Sequence, residues 1–185
     1  MNTRRDKLLQ FVKEAHGDQR RKYTDEPYYT HLENVYNIAK VYCKDLLLYE
    51  CCICHDILED TNVDKDELGR ILHLCGYDYR ESMNIIYTTL ELTDRYTKEN
   101  YPNHNRKDRK FMEAVRLGDT SELAQTVKYA DLIDNLRDII PHDEGFARVY
   151  VEEKKQLLQL MRQGNFDLYL QACAELYNAI QQLKV

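Results

Sequence analysis

The sequence predicts an all-α protein, and three observations carry that expectation. Glycine and proline are scarce, six and three in 185 residues, while Leu, Ala, Glu, Lys and Gln are plentiful, a balance that favours helix over strand. Apolar residues recur three and four apart in one segment after another, and no segment alternates convincingly with a period of two. Side chains suited to capping helices bound these segments. The length suits one domain, residues 1–185, with a substantial core. At 43% apolar and 31% charged, the composition is that of a globular chain, not a disordered one.

Taken in order, Leu8, Phe11, Val12 and Ala15 keep helical spacing over residues 4–16, and Gly17 is a natural stop. A polar segment, 18–29, holds the first basic patch, Arg20-Arg21-Lys22, among tyrosines. Thr30 with Glu33 reads as a capping box opening a helix through Val35, Ile38, Ala39 and Tyr42, with His31 at its first position. Asp45 can cap a helix over 46–58, and Asp64 another that ends near Gly76. A helix over 79–92 should turn Met83, Ile86, Tyr87 and Leu90 inward. Residues 94–105 lack periodicity and form the longest loop, a kind that is often functional. The second basic patch, Arg106, Lys107, Arg109 and Lys110, opens the next helix, where cations oppose the helix dipole and suggest an anionic partner. A helix from about 121 to 139 follows, then two amphipathic scaffold helices, about 146–162 and 166–183, separated by Gly164.

Several functions are excluded. A net charge of −6 argues against general nucleic-acid binding, whose affinity comes mostly from a basic surface. No apolar run approaches the roughly 18 residues of a membrane span, and residues 1–7 lack the apolar core of a signal peptide. The reading is cytoplasmic, with no membrane partner, and nothing in the sequence specifies an oligomeric state. The six cysteines lack the paired spacing of a zinc site and read as small buried hydrophobes in a reducing compartment.

The chemistry gathers in residues 51–61, where an apolar run carries His55, Asp56, Glu59 and Asp60. On one helix His55 would sit above Glu59 and Asp56 above Asp60. Such a dipeptide is ordinarily a surface ion pair. Three carboxylates beside an imidazole within an apolar helix instead suit a hard or borderline divalent cation. His31 upstream could be a ligand from a second helix. Asp131 lies among Tyr129, Ala130, Leu132 and Ile133, shares a stripe with Lys128 and Asn135, and needs a partner, either an ion or Arg137 or a cap.

His31, His55-Asp56 and Asp131 follow the H…HD…D order, and in this the chain resembles the HD phosphohydrolase superfamily, a helical-bundle fold. More closely, four segments resemble the hydrolase domain of the RelA/SpoT family, above all its small stand-alone alarmone hydrolases. They are Gln19-Arg20-Arg21-Lys22, Glu26-Pro27-Tyr28-Tyr29-Thr30-His31, residues 55–61, and Lys128 through Asp138. The resemblance spans about residues 8–160. It implies that His31, His55, Asp56 and Asp131 hold one manganese ion, and that Glu59 and Asp60 stand near the water and the scissile phosphate. It also implies that Asn135 contacts the sugar and that Arg21 and Lys22 hold base and phosphates. The implied reaction removes pyrophosphate from the 3′ position of guanosine tetra- or pentaphosphate. Lys128, Arg106 and Arg109 are further candidates for screening the anionic substrate. The chain departs from the family at Leu32, where Pro is usual, in 23–26, which lack the usual Gly, and in the long polar stretch 98–110.

Two other functions fit these residues. One is hydrolysis of another phosphorylated nucleotide or dinucleotide at the same centre; the other is a helical module that senses a nucleotide without turning it over.

Overall fold

The computed structural model describes residues 3–184; Met1, Asn2 and Val185 of the expected 1–185 domain lie outside the described residues. The all-α expectation holds: among the described residues the only β pairing is an isolated bridge between Arg20 and Pro27. The chain divides into two compact units, one ending at Thr93 and the other beginning at Asp94.

The first unit contains α1 (Arg4–His16), α2 (Tyr29–Ala39), α3 (Leu48–Cys54), α4 (Ile57–Asp60), α5 (Lys65–Cys75) and α6 (Tyr79–Leu92). Helix α1 is its hub, packing on α2, α3, α4 and α5. Leu8 and Val12 of α1 are sealed against a core that includes Leu32, Val35, Ile53, Ile57, Leu68, Leu72 and Ile85. Each such side chain contributes about 1.5–3 kcal/mol on leaving water. The caps explain where these helices begin. Thr3 and Asp6 exchange hydrogen bonds of 2.8 and 3.2 Å, Asp64 accepts from the amides of Asp66 and Glu67, and Asp78 and Glu81 form a second capping box. Gly76 ends α5 at φ 100°, a left-handed conformation that glycine adopts without strain.

Three local expectations are corrected. Thr30 does not cap α2: the helix starts at Tyr29, and the Thr30 hydroxyl donates to Pro27 O at 2.8 Å. His31 is therefore the third helical residue. The single helix expected over 46–58 is two, α3 and α4, because the backbone opens at Asp56 (φ −102°, ψ −2°). Tyr87 faces solvent, while Ser82, Ile85, Ile86, Thr88, Thr89 and Leu92 form the inner face of α6.

The second unit contains α7 (Arg106–Gly118), α8 (Glu122–His142), α9 (Glu144–Leu160) and α10 (Phe166–Leu183). Helix α9 packs on α7, α8 and α10, and α8 packs on α10. The expected loop over 94–105 is present, and the Glu113 carboxylate anchors it by accepting the amides of Arg95 and Tyr96 at 3.0 and 3.1 Å. The Gly164 turn passes so near α8 that a Cβ there would lie 2.5 Å from the Tyr129 ring. Cys51, Cys52, Cys54 and Cys75 are buried thiols, as expected, and Cys43 and Cys173 are half-buried.

Candidate metal centre and active site

Helix α2 and the turn between α3 and α4 bring His31, His55 and Asp56 together, with one ligand atom from each within 4.8 Å of the others. His55 Nε2 lies 2.9 Å and His31 Nε2 3.7 Å from Asp56 Oδ2. His55 and His31 are almost wholly enclosed, whereas Asp56 remains partly open. The break at Asp56 makes this possible, since consecutive residues on a continuous helix point about 100° apart. His55 Nδ1 lies 2.7 Å from Cys52 O, a carbonyl that can only accept, so Nδ1 carries the proton and Nε2 presents its lone pair to the cluster. Two imidazole nitrogens and a carboxylate oxygen at this spacing suit a divalent cation of the borderline kind.

A supporting layer surrounds the cluster. Tyr28 donates its hydroxyl to Asp56 Oδ2 at 2.7 Å. Burial, then the charges on Asp56 and Asp60, raise the Tyr28 pKa far above its ordinary value, so the phenol keeps its proton and remains a donor. His16 stacks on Tyr28 with ring centres 4.9 Å apart and pairs through Nδ1 with Gln19 Oε1 at 2.8 Å. Gln19 Nε2 in turn donates to Asp60 Oδ2 at 3.3 Å. Asp60 and Glu59, on the short α4, face solvent.

Tyr28, His16 and Gln19 went unassigned in the sequence, though signals for two of them exist. His16 continues the four-residue stripe of Leu8 and Val12, and Tyr28 stands three residues before His31. For Gln19, a loop residue, spacing offers no signal.

The other candidates divide between the units. Arg21 is buried in the loop before α2, its amide donating to Glu26 O at 2.9 Å. Lys22 is exposed and donates to the Tyr23 hydroxyl at 2.8 Å. In the second unit Asp131 is buried, receiving Lys128 Nζ on Oδ2 at 2.8 Å and Asn135 Nδ2 on Oδ1 at 2.5 Å. The expected stripe of Lys128, Asp131 and Asn135 therefore exists as a bonded set, and Arg137 pairs with Glu175 instead. Arg106 forms a two-pronged pair with Glu153 at 2.7 and 2.9 Å, and Arg109 donates to His104 O.

The HD domain family model matches residues 28–136, a stretch that contains His31, His55, Asp56 and Asp131. The chain belongs to the HD domain family. It is 29% identical over 136 residues to guanosine-3′,5′-bis(diphosphate) 3′-pyrophosphohydrolase MESH1 of Drosophila melanogaster, covering 71% of this chain and 66% of that protein. To the MESH1 of Xenopus tropicalis it is 33% identical over 147 residues, covering 77% of this chain and 74% of that one. The chain thus spans about two thirds to three quarters of the curated relatives it matches. A solved structure of similar fold is that of a metazoan orthologue of SpoT that hydrolyses ppGpp, with a TM-score of 0.78 and 23% identity over 98% of this chain and 96% of that one.

Proposed function

We propose that this protein is a metal-dependent hydrolase that removes pyrophosphate from the 3′ position of guanosine tetra- or pentaphosphate. The convergence of His31, His55 and Asp56 carries the proposal, supported by relatives whose names state that activity. Asp131 is the proposed fourth ligand and manganese the proposed ion. In support, Asp131 stands in order within the matched family stretch as a buried carboxylate with an oxygen-donor side chain suited to such an ion. The proposed functional domain is the whole chain, since the matched stretch runs across the boundary between the units. No helix among the described residues is long and apolar enough to cross a membrane, which supports the proposal of a cytoplasmic enzyme acting on a small nucleotide.

The fixed Nε2 lone pair of His55, the Nε2 of His31 and the Asp56 carboxylate would hold the cation. When bound, the cation supplies Lewis acidity and a water of lowered pKa. The residues around it do the remaining work. Tyr28 holds the Asp56 carboxylate in one orientation, and Gln19 holds Asp60. Asp60 and Glu59, open to solvent, orient the attacking water and accept its proton. Arg21 and Lys22 meet base and phosphates, and Asn135 meets the sugar.

The decisive experiment incubates the purified chain with Mn²⁺ and guanosine tetraphosphate and resolves the products by anion exchange. Guanosine diphosphate and pyrophosphate are the expected products. Intact substrate with metal-loaded protein, or release of orthophosphate alone, overturns the proposal.

A further inference from the structure

His16 is the last residue of α1 and is buried, only 7% exposed. Gly17 follows at φ 53°, a backbone conformation that favours glycine, and the chain turns back so that the Gln19 amide reaches the His16 carbonyl at 3.0 Å. The Tyr28 amide donates to Gln19 O at 3.0 Å, which ties Gln19 and Tyr28 together beside one imidazole. His16 engages both. Its ring stacks on Tyr28 with centres 4.9 Å apart, and its Nδ1 lies 2.8 Å from Gln19 Oε1.

Each contact leads to a different carboxylate. Through Tyr28 the path ends at Asp56 Oδ2, 2.7 Å from the phenol oxygen. Through Gln19 it ends at Asp60 Oδ2, 3.3 Å from the amide nitrogen. The proton positions follow from that end. A carboxylate accepts, so Gln19 gives its NH₂ to Asp60 and its oxygen to His16, and His16 Nδ1 is the donor. The buried His16 Nε2 is left, among the described residues, without a hydrogen-bond partner. An orphaned polar atom of this kind costs stability. A phenylalanine would stack on the same tyrosine and carry no such cost. Packing alone therefore does not account for the imidazole, and what it adds to a phenyl ring is the Nδ1–H aimed at Gln19.

We propose that His16 is a positioning residue that steadies two carboxylates of the site at once, Asp56 through the ring of Tyr28 and Asp60 through the amide of Gln19. The rings extend the first path. Tyr28 lies 5.6 Å from His31 and His31 lies 5.3 Å from His55, centre to centre, so His16 closes the outer end of a file that contains both candidate histidine ligands. The role at Asp60 rests on the activity proposed above; the hold on Asp56 rests on the ligand set alone.

Two substitutions separate the paths. H16F keeps a ring on Tyr28 and removes the Nδ1 donor; H16N keeps a donor near the Nδ1 position and removes the ring. The full chain is measured for stability in denaturant, for Mn²⁺ affinity by equilibrium dialysis, and for kcat on guanosine tetraphosphate at saturating Mn²⁺. H16F should match wild type in stability and Mn²⁺ affinity, yet turn over about tenfold more slowly or worse. H16N should bind Mn²⁺ about tenfold more weakly, with most of its turnover restored at saturating Mn²⁺. Q19M cuts the second path at its other residue, so the H16F/Q19M pair should be no slower than either single variant. Parallel losses of stability, affinity and turnover in both His16 variants, or additive losses in the pair, overturn the proposal, as do wild-type affinity and turnover throughout. If the wild-type chain binds Mn²⁺ yet leaves guanosine tetraphosphate intact, the proposed activity fails by itself. Weakened Mn²⁺ binding in H16N then still upholds the hold on Asp56, and wild-type affinity in H16N sinks it.

Discussion

The Tyr28 hydroxyl donates to Asp56 Oδ2 at 2.7 Å, the same oxygen that lies 2.9 Å from His55 Nε2. One phenol thus fixes the carboxylate at the point where the candidate ligand atoms meet. Removing such an outer partner typically lowers metal affinity or activity by about ten- to a hundredfold. Y28F should therefore weaken Mn²⁺ binding by about that factor while the fold is kept, because only the hydroxyl is lost. Equilibrium dialysis with Mn²⁺ checks this, and wild-type affinity would remove Tyr28 from the supporting layer.

Asp131 is tested by an isosteric change. D131N keeps the side-chain volume but loses the charge that Lys128 meets at 2.8 Å. Its Mn²⁺ affinity should fall by at least about tenfold, and hydrolysis of the nucleotide should fall with it. If dialysis returns the wild-type constant, Asp131 is not a ligand, and the ion is held from the first unit alone.

Lys154 sets a pH dependence whose sign follows from its environment. Its folded pKa, about 8, is lower than the ordinary 10.5, so folding disfavours the charged amine. The penalty is full below pH about 8 and fades as pH rises towards 10.5, where the unfolded chain still holds a proton that the folded chain has released. Burial lowers the pKa most, Lys128 and Lys110 lower it further, and Asp131 and Asp94 oppose them. K154M should therefore be more stable than wild type near neutral pH, with an advantage that shrinks as pH rises past 8. Urea unfolding in phosphate-free buffer at several pH values measures the difference; a gap that does not change with pH refutes the assignment.

Gly164 has a steric role. A methyl there would lie 2.5 Å from Tyr129 Cε2 and 2.9 Å from the backbone nitrogen of Thr126. The Tyr129 ring cannot yield easily, because its hydroxyl donates to Met161 O at 2.9 Å. G164A should cost about 1–3 kcal/mol of stability, measured by denaturant unfolding.

Much of the helical order was legible because the chain marks it locally. Asp78 with Glu81 announces α6, and α10 follows directly after the Gly164 turn; the spans 79–92 and 166–183 correspond to the helices found. Thr30 misled because its pattern with Glu33 fits a capping box, while Pro27 upstream offers its carbonyl to the hydroxyl instead. The opening at Asp56 was hidden, since every residue from 48 to 60 is compatible with helix and the distortion belongs to the tertiary surroundings. His31, His55 and Asp56 could be picked out because buried polar residues in apolar helices need a reason. Gln19 could not, because a polar residue in a polar loop is chemically silent until its neighbours are placed.

The interruption between α3 and α4 also constrains anyone who tries to toughen this protein. Routine helix-strengthening substitutions around residues 55–57 would favour a smooth, unbroken rod and swing two neighbouring side chains onto different faces. A gain in thermal endurance there would be bought with a slacker grip on the ion, so selection for heat tolerance and selection for turnover should pull this short segment in opposite directions.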